Sequence, residues 1–166
     1  MAASTDPRAR LIAIERALAA TNDAEEREAL DEQKSEVEEE WLGELATDAT
    51  TRDGFVDLAK GTEHGIPDAI WPFVTRVAFH GNPLELAESL AGLVAAPRPG
   101  LAWLELEQLQ EREQPIDPRV IARLGEATPA LHELHVKGNF VVDELVHPTV
   151  RHVVVEGFDA IGPLLG

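Results

Sequence analysis

Five residues in the second half of the chain are of types that hold metal ions or move protons: His80, Glu105, Glu107, His135 and His152. Imidazole with carboxylate is a common zinc donor set, and His132-x-x-His135 adds a candidate ligand pair. Three features weigh against that chemistry. Adjacent residues of a strand point to opposite faces. No His-Glu-x-x-His helical motif is present. The histidines also do not occupy equivalent positions. Glu105 with His135 has the types of an acid–base pair, but no positioned nucleophile accompanies it. P-loop, dinucleotide-binding and nucleophile-elbow motifs are missing. The reading is therefore non-enzymatic, with ordinary exposed histidines, no catalytic residue, no cofactor and no assigned metal ligand. A metal-binding protein or metal-dependent enzyme built on these His and Glu residues is the alternative.

The elements that must carry these side chains are marked by a recurring frame, L-x-x-L-x-L-x-x-N. It fits Leu131–Asn139, with Val136 in the third apolar slot, and Val74–Asn82. It also fits Leu101–Leu109 and Val150–Phe158, with Leu and Phe in the Asn slot. The frames start 27, 30 and 19 residues apart, a spacing that suits a strand plus a helix or 3₁₀ turn per unit. This is the leucine-rich-repeat signature. It predicts an α/β solenoid with parallel strands on a concave face and helices or turns on the convex face.

The first, fourth and sixth positions form the expected core: Val74, Val77, Phe79; Leu101, Leu104, Leu106; Leu131, Leu134, Val136; Val150, Val153, Val155. A ninth-position Asn is expected to turn inward onto its loop. Leu109 and Phe158 lack that amide, so their turns should be irregular or apolar. The third, fifth and seventh positions should form rows on the concave face: Arg76-Trp103-Glu133-His152, Ala78-Glu105-His135-Val154 and His80-Glu107-Lys137-Glu156. Mixed charge around one aromatic suits protein recognition. The candidate partner-binding residues are Arg76, His80, Trp103, Glu105, Glu107, Glu133, His135, Lys137, His152 and Glu156. Trp103 reads equally well as a partner anchor or as packing.

Composition narrows the partners. The 166 residues carry a formal net charge of −17. Nucleic-acid affinity draws on clustered Lys and Arg, so nucleic acid is excluded as a partner, as are anionic membrane surfaces. A basic protein partner is favoured. The acidity is spread along the chain, net −9 over residues 1–60 and −8 over the rest. There are no cysteines, no secretory signal pattern and no long apolar run, which fits a cytoplasmic protein.

Upstream of the frames, Asp6-Pro7 is a helix start, and Leu11, Ile14 and Leu18 follow at helical spacing. After Thr21-Asn22-Asp23, a second helix is expected over 24–45. Its apolar stripe is Leu30, Val37, Trp41 and Leu45, with Lys34 in one apolar slot. The acidic run Glu36, Glu38, Glu39, Glu40 reads as a solvated face. Residues 47–53 read as turn-like, then 54–59 as a strand with Val56 and Leu58 on one face. A short helix follows from Pro67 to Phe73. Leu86, Leu90 and Leu93 mark a helix between the first two frames, and Val120, Ile121 and Leu124 about two helical turns between the next. Two units result: a helical hairpin cap over 1–53 and a short solenoid over 54–166. The solenoid reads as truncated at its C-terminus, as pairing there with something else, or as a structural segment of a larger assembly.

The N-terminal third resembles the repeat-companion domain that precedes leucine-rich repeats in bacterial proteins. The resemblance rests on Asp6-Pro-Arg-Ala-Arg-Leu-Ile-Ala-Ile-Glu15, on Trp41-Leu42-Gly43 and on Gly54-Phe55-Val56, in that order and followed by the repeat frames. It implies a bacterial leucine-rich-repeat protein and brings no catalytic residues with it. The chain has fewer repeats than such proteins usually carry.

Overall fold

The computed structural model describes residues 6–61, 65–109, 123–138 and 147–156. Helix α1 (Pro7–Ala20) is capped by Asp6, whose carboxylate accepts from the Arg8 N–H, and Pro7 opens its first turn. Helix α2 (Ala24–Leu42) is capped by Asp23, which accepts from the Glu25 and Glu26 N–H groups. Leu11 and Val37 are the fully buried pair of this hairpin. Helix α2 ends earlier than its apolar stripe suggests. Gly43 takes a positive φ of 59° at the cap, and a 3₁₀ segment, Gly43–Asp48, carries Leu45 into the core. Lys34 sits in the inward stripe because its ammonium reaches Glu38 at 2.7 Å. Glu38 also accepts from the Thr51 hydroxyl, so it leaves the solvated face on which the acidic run placed it.

The stretch expected as a turn over 47–53 is largely strand. β1 (Ala49–Arg52) pairs antiparallel with β2 (Phe55–Lys60), around a two-residue turn with Asp53 and Gly54 at φ 53° and 73°. A sheet hairpin therefore straddles the boundary drawn at 53/54. A bulge at Asp57 shifts the register, so Val56 and Ala59 are buried while Leu58, expected beside Val56, is half-buried.

The remaining strands are β3 (Arg76–Gly81), β4 (Trp103–Gln108), β5 (Glu133–Lys137) and β6 (His152–Glu156). All six form one sheet in sequence order, parallel from β2 onward. The fold is thus α/β with a mostly parallel sheet. Parallel neighbours need crossovers, and helix α3 (Pro83–Leu93) provides the one between β3 and β4, burying Leu86, Leu90 and Leu93. Asn82 does not turn onto its own loop as expected. It caps α3 through the Leu84 and Glu85 N–H groups, while Glu85 returns a bond to the Asn82 N–H. A one-turn helix, α4 (Leu124–Ala127), precedes β5. Val120, Ile121, Asn139, Phe158 and the chain after Glu156 lie outside the described residues.

The core is the predicted set in its first three frames: Val74, Val77, Phe79, Leu101, Leu104, Leu106, Leu131, Leu134 and Val136 are all buried. Val150, Val153 and Val155 of the last frame are only half-buried. Leu109 does not pack into its turn and is 65% exposed. Arg98 is buried: its guanidinium donates to Leu93 O at 3.3 Å and Gly92 O at 3.2 Å and stacks on Trp71, so it closes the end of α3. Pro67–Phe73 forms turns and a 3₁₀ segment, Trp71–Phe73, with Ile70 buried and Phe73 half-buried. No helix among the described residues is long and apolar enough to cross a membrane.

The frames repeat in backbone hydrogen bonds as well as in sequence. Val74 donates to Trp71 O, Leu101 to Arg98 O and Leu131 to Thr128 O, at 3.1, 3.2 and 3.0 Å. One residue on, Ala102 donates to Thr75 O, His132 to Ala102 O and Arg151 to His132 O, at 2.8, 3.0 and 2.9 Å. The same turn therefore enters three strands, and the same inter-unit bond joins four.

Candidate functional site: the open face of the sheet

In a strand, alternate residues share a face, so the sheet that buries the apolar positions must present the letters between them. The pairing aligns Arg76, Trp103, Glu133 and His152 directly across four strands. Ala78, Glu105, His135 and Val154 form the second row, and His80, Glu107, Lys137 and Glu156 the third. Lys60 extends the second row, opposite Ala78. Ala78 itself is buried.

The side chains sort into two groups. One is a path of neighbouring rings. The Arg76 guanidinium lies 4.6 Å from the Trp103 ring centre. Trp103 and His135 are 5.3 Å apart, and His135 and His152 are 6.3 Å apart. His135 Nε2 and Glu133 Oε1 share a 2.7 Å bond. That bond is the main cause holding the Glu133 carboxyl below its ordinary range. Desolvation opposes it, and the charges of His135 and His152 and a bond from Trp103 assist.

The other group is His80 with Glu105 and Glu107. His80 Nε2 lies 3.0 Å from Glu105 Oε1 and 3.6 Å from Glu107 Oε2. Glu105 and His135 face each other in register, yet they are not partners: Glu105 bonds His80 and His135 bonds Glu133. The acid–base pair raised by their residue types is thereby split. His132 does not join His135 in a chelating pair, because its Nδ1 lies 3.4 Å from Ala130 O in its own loop. Lys137 and Glu156 are aligned, but no ion pair joins them.

One polar cluster escapes sequence reasoning. His147 sits between Thr128 and Thr149, with Nε2 3.2 Å from Thr128 Oγ1 and Nδ1 accepting from the Thr149 N–H at 3.3 Å. Burial lowers its pKa, partly offset by a bond to the Leu124 backbone. His147 precedes the fourth frame, and no spacing rule connects it to Thr128. The comparisons with known protein families, with curated proteins and with solved structures return no match.

Proposed function

We propose that the chain is a short leucine-rich-repeat solenoid of a bacterial, cytoplasmic protein, and that it binds a protein partner on the open face of its sheet without catalysing a reaction. The observation that carries the binding reading is the path Arg76–Trp103–His135–His152, in which a partly exposed aromatic is held in one orientation by a cation on one side and an imidazole on the other. Orientation fixed before binding lowers the ordering cost of association. The surrounding Glu105, Glu107, Glu133 and Glu156 offer acceptors to a basic partner.

The repeat reading is supported by the recurring entry turns and inter-unit bonds. The companion-domain reading is supported by where its motif residues meet. Arg8 reaches Gly54 and stacks near Phe55 and Phe73, and Trp41 packs edge-on against Phe73 at 5.8 Å. Asp6-Pro-Arg8, Trp41 and Gly54-Phe55 thus contribute to one joint between hairpin and sheet. A pull-down comparing the wild type with Trp103→Ala plus Glu105→Lys tests the function. Partners recovered by the wild type and lost by the variant are expected; unchanged recovery removes the open face as the binding surface.

A further inference from the structure

We infer that His80, Glu105 and Glu107 form a binding site for one divalent transition-metal ion, such as Zn²⁺, at the β3–β4 edge of the open face. Their donor atoms all lie within 4.8 Å of one another. The distances from His80 Nε2, 3.0 Å to Glu105 and 3.6 Å to Glu107, are the informative ones. Ligands held about 2.1 Å from an ion are about 3.0 Å apart at right angles and about 3.4 Å apart at the tetrahedral angle. His80 is thus spaced from both carboxylates close to the separation of neighbouring ligands, and an ion can take the place of the His80–Glu105 hydrogen bond.

The backbone supports this spacing. Glu105 and Glu107 are two apart on β4 and share a face, and His80 pairs directly with Glu107 across the parallel ladder. Two residues beyond His80, the chain is fixed by the Asn82–Glu85 capping box that starts α3. The charge is suitable as well. Two carboxylates balance a divalent ion, and among the described residues no Lys or Arg forms an ion pair with either of them. The Glu105 side chain is only 16% exposed, so its partner matters, and that partner is His80. Three protein ligands on an open face leave positions for water or a partner's side chain, the pattern of an unsaturated site rather than a closed structural one. An imidazole ligand selects zinc-like ions over Mg²⁺ and Ca²⁺, which prefer oxygen donors alone. The site does not depend on the partner-binding reading, and its test needs no partner.

The experiment is a calorimetric titration of Zn²⁺ into the tag-free full chain, with Co²⁺ absorption as a second readout. The expected result is one saturable equivalent, weakened at least tenfold by His80→Ala and by Glu107→Gln and unchanged by His135→Ala. Mg²⁺ at the same concentrations should give no heat of binding. Absence of saturable uptake overturns the site, as does uptake that survives His80→Ala or that follows His135 instead. Should His80→Ala fail to fold, Glu107→Gln decides alone, since it keeps the side-chain shape and removes the charge; wild-type affinity in it overturns the proposal.

Discussion

Arg8 donates from Nε to the backbone carbonyl of Gly54 at 2.6 Å, joining the first turn of α1 to the β1–β2 turn across 46 residues of chain. Its guanidinium also lies 4.5 Å from the Phe73 ring centre and 5.1 Å from that of Phe55. Gly54 is suited to this contact twice over. Its φ of 73° favours glycine, and a Cβ there would lie 2.6 Å from the Ile12 side chain.

Replacing Arg8 by Ala should therefore loosen the hairpin from the sheet. A charge-assisted hydrogen bond and a cation–π contact together point to a loss of about 2 kcal/mol in urea unfolding. Arg8→Lys should recover part of it, because an ammonium keeps the charge but not the planar stack. A loss below about 0.5 kcal/mol would show that Arg8 does not hold the hairpin and that the Trp41–Phe73 contact and the Thr51–Glu38 bond carry the joint.

The core gives a graded prediction. Leu104 is fully buried in the middle of the sheet, whereas Val153 occupies the equivalent place in the half-buried strand β6. Leu104→Ala should cost about 3–4 kcal/mol. Val153→Ala should cost about 1 kcal/mol, since it removes less volume from a less enclosed place. Equal losses would mean that β6 is covered in solution.

These contrasts mark how much of the fold was legible. The frames located β3 to β6 and set which residues face inward, because the period of two leaves no freedom once Leu104 and Leu106 are known to be buried. The α1 cap was legible from Asp6-Pro7. The β1 strand was missed because Thr50 and Thr51 in a polar stretch look like a loop, although Asp53-Gly54 is a hairpin-turn pair. Glu38 was misplaced because its partners, Lys34 and Thr51, come from two elements. On the open face, the rows followed from the frames. Which acid each histidine chose did not: Glu105 is aligned with His135, yet it bonds His80 on the diagonal, a side-chain choice that register does not specify.

His147 predicts an acid-sensitive stability. Burial lowers its pKa from the ordinary value of 6.5. Thr128 Oγ1 donates to Leu124 O and the Thr149 N–H donates to Nδ1, so the neutral ring with its proton on Nε2 satisfies the cluster. The unfolded chain then binds the proton more tightly than the folded one. Stability from this group is present above the ordinary value and is lost as pH falls below it. The urea midpoint of the wild type should drop between about pH 7 and pH 5.5, and His147→Gln should show a shallower drop. Identical slopes in the two proteins would remove His147 as the cause.

Trp103 separates a packing role from an anchoring one. It is partly exposed, and its ring contacts on the face are Arg76 and His135. A packing residue of its size in a closed core would cost about 3–5 kcal/mol on truncation to Ala. On this open face, loss of the Arg76 stack and some covered area should cost about 1 kcal/mol, and a double-mutant cycle with Arg76→Ala should return a coupling of about 0.5–1 kcal/mol. On the proposed anchoring role, partner affinity should fall far more, by about 2 kcal/mol or upward, as for an aromatic at the centre of an interface. Thermal unfolding and partner titration on the same Trp103→Ala protein therefore give opposite rankings for the two roles. A large stability loss with unchanged affinity would assign Trp103 to packing and move the binding surface elsewhere.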